Sequence, residues 1–249
     1  MTILLGEATW EDLRDLDRGR AVAILPIGAT EAHGPHLPLE TDVVISEAMA
    51  SAAAARLGDA GIPVVILPSF AYTAAGFARE FPGTISVSAS TVTALLLDVA
   101  RELARQGFRT LALANSHLDP EHLASLDAAV AAPDSERGLT IVFPNLTRKP
   151  WGGRLTDEFQ SGACHAGQFE TSVVLAARPD LVREMARRDL PANPSSLSDA
   201  IRAGKKSFLE ANGPRAYFGA PQAATSREGE ATIEVLGEIL ASAVREALA

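Results

Sequence analysis

Ala21-Val22-Ala23-Ile24-Leu25-Pro26-Ile27, followed at once by Gly28-Ala29-Thr30-Glu31-Ala32-His33-Gly34-Pro35-His36, is the stretch on which the fold turns. An unbroken apolar run of this length, ended by glycine, reads as a strand buried on both faces. Val43 to Leu57 then has helical length and an alanine-rich face, closed by Gly58. Downstream the same alternation recurs. Strands are expected at Pro63–Leu67, Arg109–Ala114 and Leu139–Phe143. Helices are expected at Thr91–Gln106 (capped by Ser90 or Thr91 and ended by Gly107), Glu121–Ala132, Phe169–Ala177 and Glu228–Leu248. Alternating strands and helices imply right-handed βαβ units. The expected fold is α/β, a three-layer α/β/α sandwich around a mostly parallel sheet, with residues 1–249 as a single domain.

Composition agrees with that class. Of the 249 residues 47% are hydrophobic but only 5% aromatic, which suits alanine-rich helices packed closely on a sheet. With 22 Lys+Arg against 31 Asp+Glu the net charge is −9, so a nucleic-acid partner is not expected. Cys164 is the one cysteine, which rules out an intrachain disulfide. Residues 1–14 carry acids rather than a basic leader, and no segment approaches the ~20 apolar residues of a membrane span, so the reading is cytoplasmic.

In an open parallel sheet, ligands bind beyond the carboxyl ends of the strands. The first strand empties into Glu31, His33 and His36, with Thr41-Asp42 opening the next helix, and the third empties into Asn115-Ser116-His117-Leu118-Asp119. Imidazole and carboxylate together suit zinc, manganese or iron, and a carboxylate can bridge two ions. Taken singly, Asp42 is a helix cap and Glu31 a loop acid. Clustered at strand ends, they read as a metal centre. Phe70–Ser88, Asn145–Gly167 and Pro191–Thr225 break the rhythm, and such irregular segments are often lids or contact surfaces. Phe77 and Trp151 lie on them as candidate substrate contacts, His36 is a candidate to line the site, and His122 reads as a cap or surface residue.

Pro26-Ile-Gly-Ala-Thr-Glu-Ala-His-Gly-Pro-His-Leu-Pro-Leu-Glu-Thr-Asp42 resembles the signature of the creatininase (creatinine amidohydrolase) family. The resemblance continues through Phe81-Pro-Gly-Thr84, Asn115-x-His117 and His165-Ala-Gly-Gln-Phe-Glu-Thr-Ser172, in the family's order. It implies a three-layer α/β/α domain, a homo-oligomer that is often a hexamer, and two divalent ions per subunit acting on a small-molecule amide. By resemblance Glu31 and His117 bind one ion, His33 the other, and Asp42 bridges. His165 matches the catalytic histidine and Glu170 a carboxylate close to the metals. Asp119 matches a glutamate ligand in the family's namesake, so either Glu170 or Asp119 is the last ligand of the second ion, with Glu170 favoured; Asp119 is also a candidate substrate contact. Where many members carry an N-G-H-G-G-N turn, this chain reads Asn115-Ser-His-Leu-Asp-Pro-Glu-His122.

The expected chemistry is attack on an amide carbonyl by a water that two ions have acidified, with His165 as general acid for the leaving amine. A small cyclic amide is the expected substrate, because the His-x-Asp turn is closer to the namesake than to the glycine-turn members. Formamide cleavage and peptide trimming are the alternatives within the family. A Cys164-dependent hydrolase and a metal-binding domain without turnover are the alternatives outside it. No G-x-G-x-x-G follows the first strand, which disfavours a dinucleotide site.

Overall fold

The computed structural model describes residues 1–249, apart from the side chains at positions 134 and 136. Five strands, β1 (Thr2–Leu4), β2 (Val22–Ile27), β3 (Val64–Ile66), β4 (Thr110–Asn115) and β5 (Thr140–Val142), form one all-parallel sheet in the order β1-β3-β2-β4-β5. Helices α1 (Thr41–Asp59), α2 (Ala89–Arg105), α3 (Pro120–Ala131), α4 (Gln168–Ala177) and α5 (Ser226–Leu248) cover its two faces.

Strand β2 is buried at all six positions, and its side chains divide by alternation. Val22 and Ile24 pack with α1, α4 and α5 through Ile45, Met49, Val173 and Leu240. Ala23, Leu25 and Ile27 pack with α2 and α3 through Leu96, Ala100 and Leu126. Two apolar cores, one on each side of the sheet, make the expected three layers.

The register of β2 on β4 decides where the site forms. The two strands pair over their full length, ending at Ile27 opposite Asn115, and the Ser116 N–H donates to the Ile27 carbonyl at 3.2 Å. The loops beginning at Gly28 and Ser116 therefore leave the sheet side by side. Gly28 also lets α1 come close: a Cβ there would stand 2.4 Å from the Val43 nitrogen and 2.6 Å from the Asp42 carbonyl carbon.

Three local expectations need correction. The first long helix begins at Thr41 and passes through Gly58, ending before Gly61, whose φ of +75° suits a helix stop. Asp42 thus lies inside the first turn rather than before it, and is no cap; the N-cap position is Glu40, whose side chain makes no capping bond. On α2 the cap is Ser88, which accepts from the Thr91 N–H at 3.2 Å, rather than Ser90 or Thr91. The edge strand β1 was not expected, because three residues flanked by polar ones carry no periodic signal.

Candidate metal centre

Six titratable side chains from four segments meet beyond the carboxyl ends of β2 and β4: Glu31, His33, Asp42, His117, His165 and Glu170, all buried. Glu31 and His33 come from the loop after β2, which is pinned by the Glu31 N–H on the Leu39 carbonyl (2.9 Å) and the Gly34 N–H on the Ala216 carbonyl (2.7 Å). Asp42 comes from the first turn of α1, held by the Ser116 hydroxyl donating to its carbonyl at 2.6 Å. Glu170 comes from the first turn of α4, where its Oε2 accepts the Ala166 N–H at 2.6 Å.

Asp42 stands between two rings. Its Oδ1 is 3.3 Å from His33 Nε2 and its Oδ2 is 3.0 Å from His117 Nδ1. Glu31 Oε1 lies 3.3 Å from His117 Nδ1 and 3.7 Å from His165 Nδ1, and Glu170 Oε2 lies 3.6 Å from His33 Nε2. These atoms form three overlapping groups, Glu31–Asp42–His117, His33–Asp42–Glu170 and Glu31–His33–His165, each within 4.8 Å.

The outer nitrogen of each ring faces a backbone carbonyl. His33 Nδ1 lies 3.1 Å from the Glu31 carbonyl, His117 Nε2 2.8 Å from that of Ala74, and His165 Nε2 2.9 Å from that of Ala32. An N–H donated outward leaves the inner nitrogen's lone pair aimed at the centre, the arrangement that prepares a histidine for a metal.

Charge makes the same demand. Burial pushes the His33 ring down, but the carboxylates of Asp42, Glu170 and Glu31 outweigh it and lift the ring to about 10. His117 is likewise raised against burial by Glu31 and Asp42. Burial raises Asp42, yet the two histidines hold it below the usual carboxylate range. Glu170, chiefly by burial, is pushed up to about 8. Without cations, three buried carboxylates can be neutralised only by retained protons. Glu31 Oε2, Asp42 Oδ2 and His33 Nε2 are buried and make no well-formed hydrogen bond, which points the same way. The donor set fits divalent ions.

Asp119 is placed differently. Its Oδ2 accepts the Phe77 N–H at 3.1 Å and its Oδ1 caps α3 through the Glu121 N–H at 2.8 Å, and it belongs to none of the three groups. It does line the adjoining cavity of about 520 Å³, together with Phe77. Two expected substrate contacts do not line it. His36 is turned away, bonded through Nε2 to the Thr171 hydroxyl at 2.9 Å, while Trp151 is partly buried against the core on the α1, α4 and α5 side of the sheet. His122 is neither a cap nor on the surface: it is fully buried and bonded to Asn115 Oδ1 at 2.8 Å, and Asn115 in turn donates to the His117 carbonyl at 2.8 Å.

Two contributors were not expected. Phe208 stacks on His165 (centroids 4.3 Å apart), whose other side faces His33 at 4.2 Å. Glu158 accepts the Phe169 and Ala220 N–H groups at 2.7 Å each and so ties the His165–Glu170 segment to the loop near residue 219. Both lie in irregular segments, where no periodicity points to them. Cys164 reaches the cavity, but burial pushes its thiol up to about 12, which leaves almost no thiolate.

The family model for creatinine amidohydrolase matches residues 6–244. The chain belongs to the creatininase family. It is 30% identical over 194 residues to the creatinine amidohydrolase of Pseudomonas putida, covering 73% of this chain and 74% of that one. It is also 32% identical over 211 residues to the mycofactocin precursor peptide peptidase of Mycobacterium tuberculosis (strain CDC 1551 / Oshkosh), covering 83% and 77%. Among solved structures, a mutant creatininase complexed with creatine superposes with a TM-score of 0.76 at 26% identity, over 99% of both chains. A manganese creatininase gives 0.75 at 27%, over 99% of both. A zinc–zinc creatininase mutant gives 0.76 at 26%, over 99% of this chain and 98% of that one. The chain is thus a creatininase-family hydrolase whose buried His/Glu/Asp groups are consistent with a binuclear metal site. No helix is long and apolar enough to cross a membrane among the described residues.

Proposed function

We propose that this chain is a two-metal amidohydrolase that cleaves a C–N amide bond, with a small cyclic amide as its first candidate substrate. The observation that carries the reading is Asp42, each of whose oxygens faces a different histidine, as a bridging carboxylate would. In this assignment Glu31 and His117 would hold the first ion, and His33 and Glu170 the second. When bound, two divalent ions supply Lewis acidity that polarises the amide carbonyl and acidifies a water.

The protein's own groups handle the protons. Burial and His33 hold the His165 ring well below the usual imidazole range, and its Nδ1 faces the centre, 3.7 Å from Glu31 Oε1. In this reading Nδ1 relays the proton of the attacking water to the departing amine, and the lowered proton affinity of the ring favours the delivery step. The Ala32 carbonyl and the Phe208 ring keep the imidazole in one orientation throughout. Phe77 and Phe208 supply an apolar wall that limits water around the scissile bond.

Cleavage of a short peptide is the second reading. The 32% identity to the mycofactocin precursor peptide peptidase supports it, and a cavity of about 520 Å³ has room for a drug-sized ligand. The test is turnover of cyclic amides, formamides and short peptides by protein loaded with manganese or zinc. Hydrolysis that is abolished by chelation and restored by metal is expected, and the class turned over chooses between the readings. Metal-loaded protein inert on every class would contradict an amidohydrolase and favour a binding domain.

A further inference from the structure

Charge along the cavity changes sign from its buried end to its exposed one. The acids that line it, Glu31, Asp42, Asp119 and Glu170, are all buried. The charged residues that line it and are exposed are Arg148, Lys149 and Arg202, all of them cations. In a chain of net charge −9, an exposed lining with three cations and no acid is not what composition supplies. Arg148 is paired with Asp127 and Arg202 with Asp199, but neither of those acids lines the cavity. Lys149 has no hydrogen-bond or ion-pair partner among the described residues, so its charge is open to a ligand. A cleft lined at its entrance by one sign of charge concentrates counter-ions of the other.

We propose that the substrate is an amide bearing an anionic group, a carboxylate or a phosphate, at the end remote from the scissile bond, and that Lys149, helped by Arg202 and Arg148, receives it. The idea rests on the metal-centre reading for the position of the reacting end. It gives the exposed cations of the lining a use, since a neutral cyclic amide alone would leave them without a role. It also separates two kinds of residue: buried groups that act on the bond and exposed cations that select which amide arrives. Removal of a mouth cation should therefore raise KM for an anionic substrate and leave kcat little changed.

The experiment titrates metal-loaded protein with straight-chain monocarboxylates, with dicarboxylates of the same carbon number, and with the corresponding phosphonocarboxylates. One carboxylate of each occupies the metal end, and the second charge probes the mouth. At low ionic strength a second anion of the right spacing should tighten binding by about 5-fold for each cation engaged, the upper end for exposed pairs. The gain should shrink as salt is added. Lys149→Ala should lose most of it, and Lys149→Glu should reverse it. The tighter of the two dianion arms names carboxylate or phosphate. Equal affinity for mono- and dianions at every length, or a dianion preference that survives Lys149→Ala combined with Arg202→Ala, would overturn the proposal. Metal content is measured on the same sample, so a failed metal centre shows as ion-free protein. In that protein the mouth cations still have to favour the added charge.

Discussion

Asp42 is 1% exposed and lies against two histidine rings, so its charge must be answered by protons or by metal. The same holds for Glu31 and Glu170, and it makes the centre's proton inventory part of its metal chemistry. His33, lifted to about 10, and Glu170, lifted to about 8, hold protons at neutral pH when no ion is bound. Ligation needs Glu170 deprotonated and the inner nitrogen of His33 free of its proton, so uptake releases protons. Apparent metal affinity should rise with pH through the Glu170 value of about 8 and on to the His33 value of about 10. Calorimetry of zinc uptake in two buffers of different ionisation enthalpy would detect that release; identical heats would contradict it. The pair Glu170 and Asp119 gives a second prediction. Glu170→Gln should lose one of two ions and most turnover. Asp119→Asn should keep both ions and cost about 1 kcal/mol or less of stability as a weakened cap on α3. The ligand candidates could be read from sequence because strand ends and residue chemistry select them. The carbonyls of Ala74 and Ala32 that orient His117 and His165 could not, since a backbone acceptor has no residue-type signal.

Between elements, α4 and α5 meet so closely that a Cβ at Gly229 would stand 1.8 Å from the Ser172 carbonyl oxygen. Glycine here sets the separation of the helix that carries Glu170 from the C-terminal helix. Gly229→Ala should force them apart, costing about 1–3 kcal/mol or more. It should also weaken the second ion while leaving the first, which titration with metal alongside thermal melts would resolve. The long elements were legible because their apolar periods are strong: β2, β4, α2 and α5 fall within a few residues of expectation. Their ends were less so. Gly58 looks like a stop but lies in α1, because the chain can turn later at Gly61. The orientation of His36 was hidden for a similar reason. Its partner, Thr171, is 135 residues away, and only the packing of α4 on the loop brings the two together.

At the scale of the whole molecule, the sheet's register and two apolar cores exist before any chemistry, and they deliver four separate chain segments to one point. Glu31 and His33 follow β2, His117 follows β4, Asp42 opens α1, and Glu170 opens α4. Asp42 joins both halves of that convergence, so the two-ion account depends on it more than on any other residue. The deciding measurement is metal content per chain, with turnover on the same preparation, for the native protein and for Asp42→Ala. Two ions in the native protein, with loss of bound metal and of chelator-sensitive activity in the variant, is the expected result. A folded Asp42→Ala protein that keeps both its metal and its activity would contradict the bridge and, with it, the proposed centre.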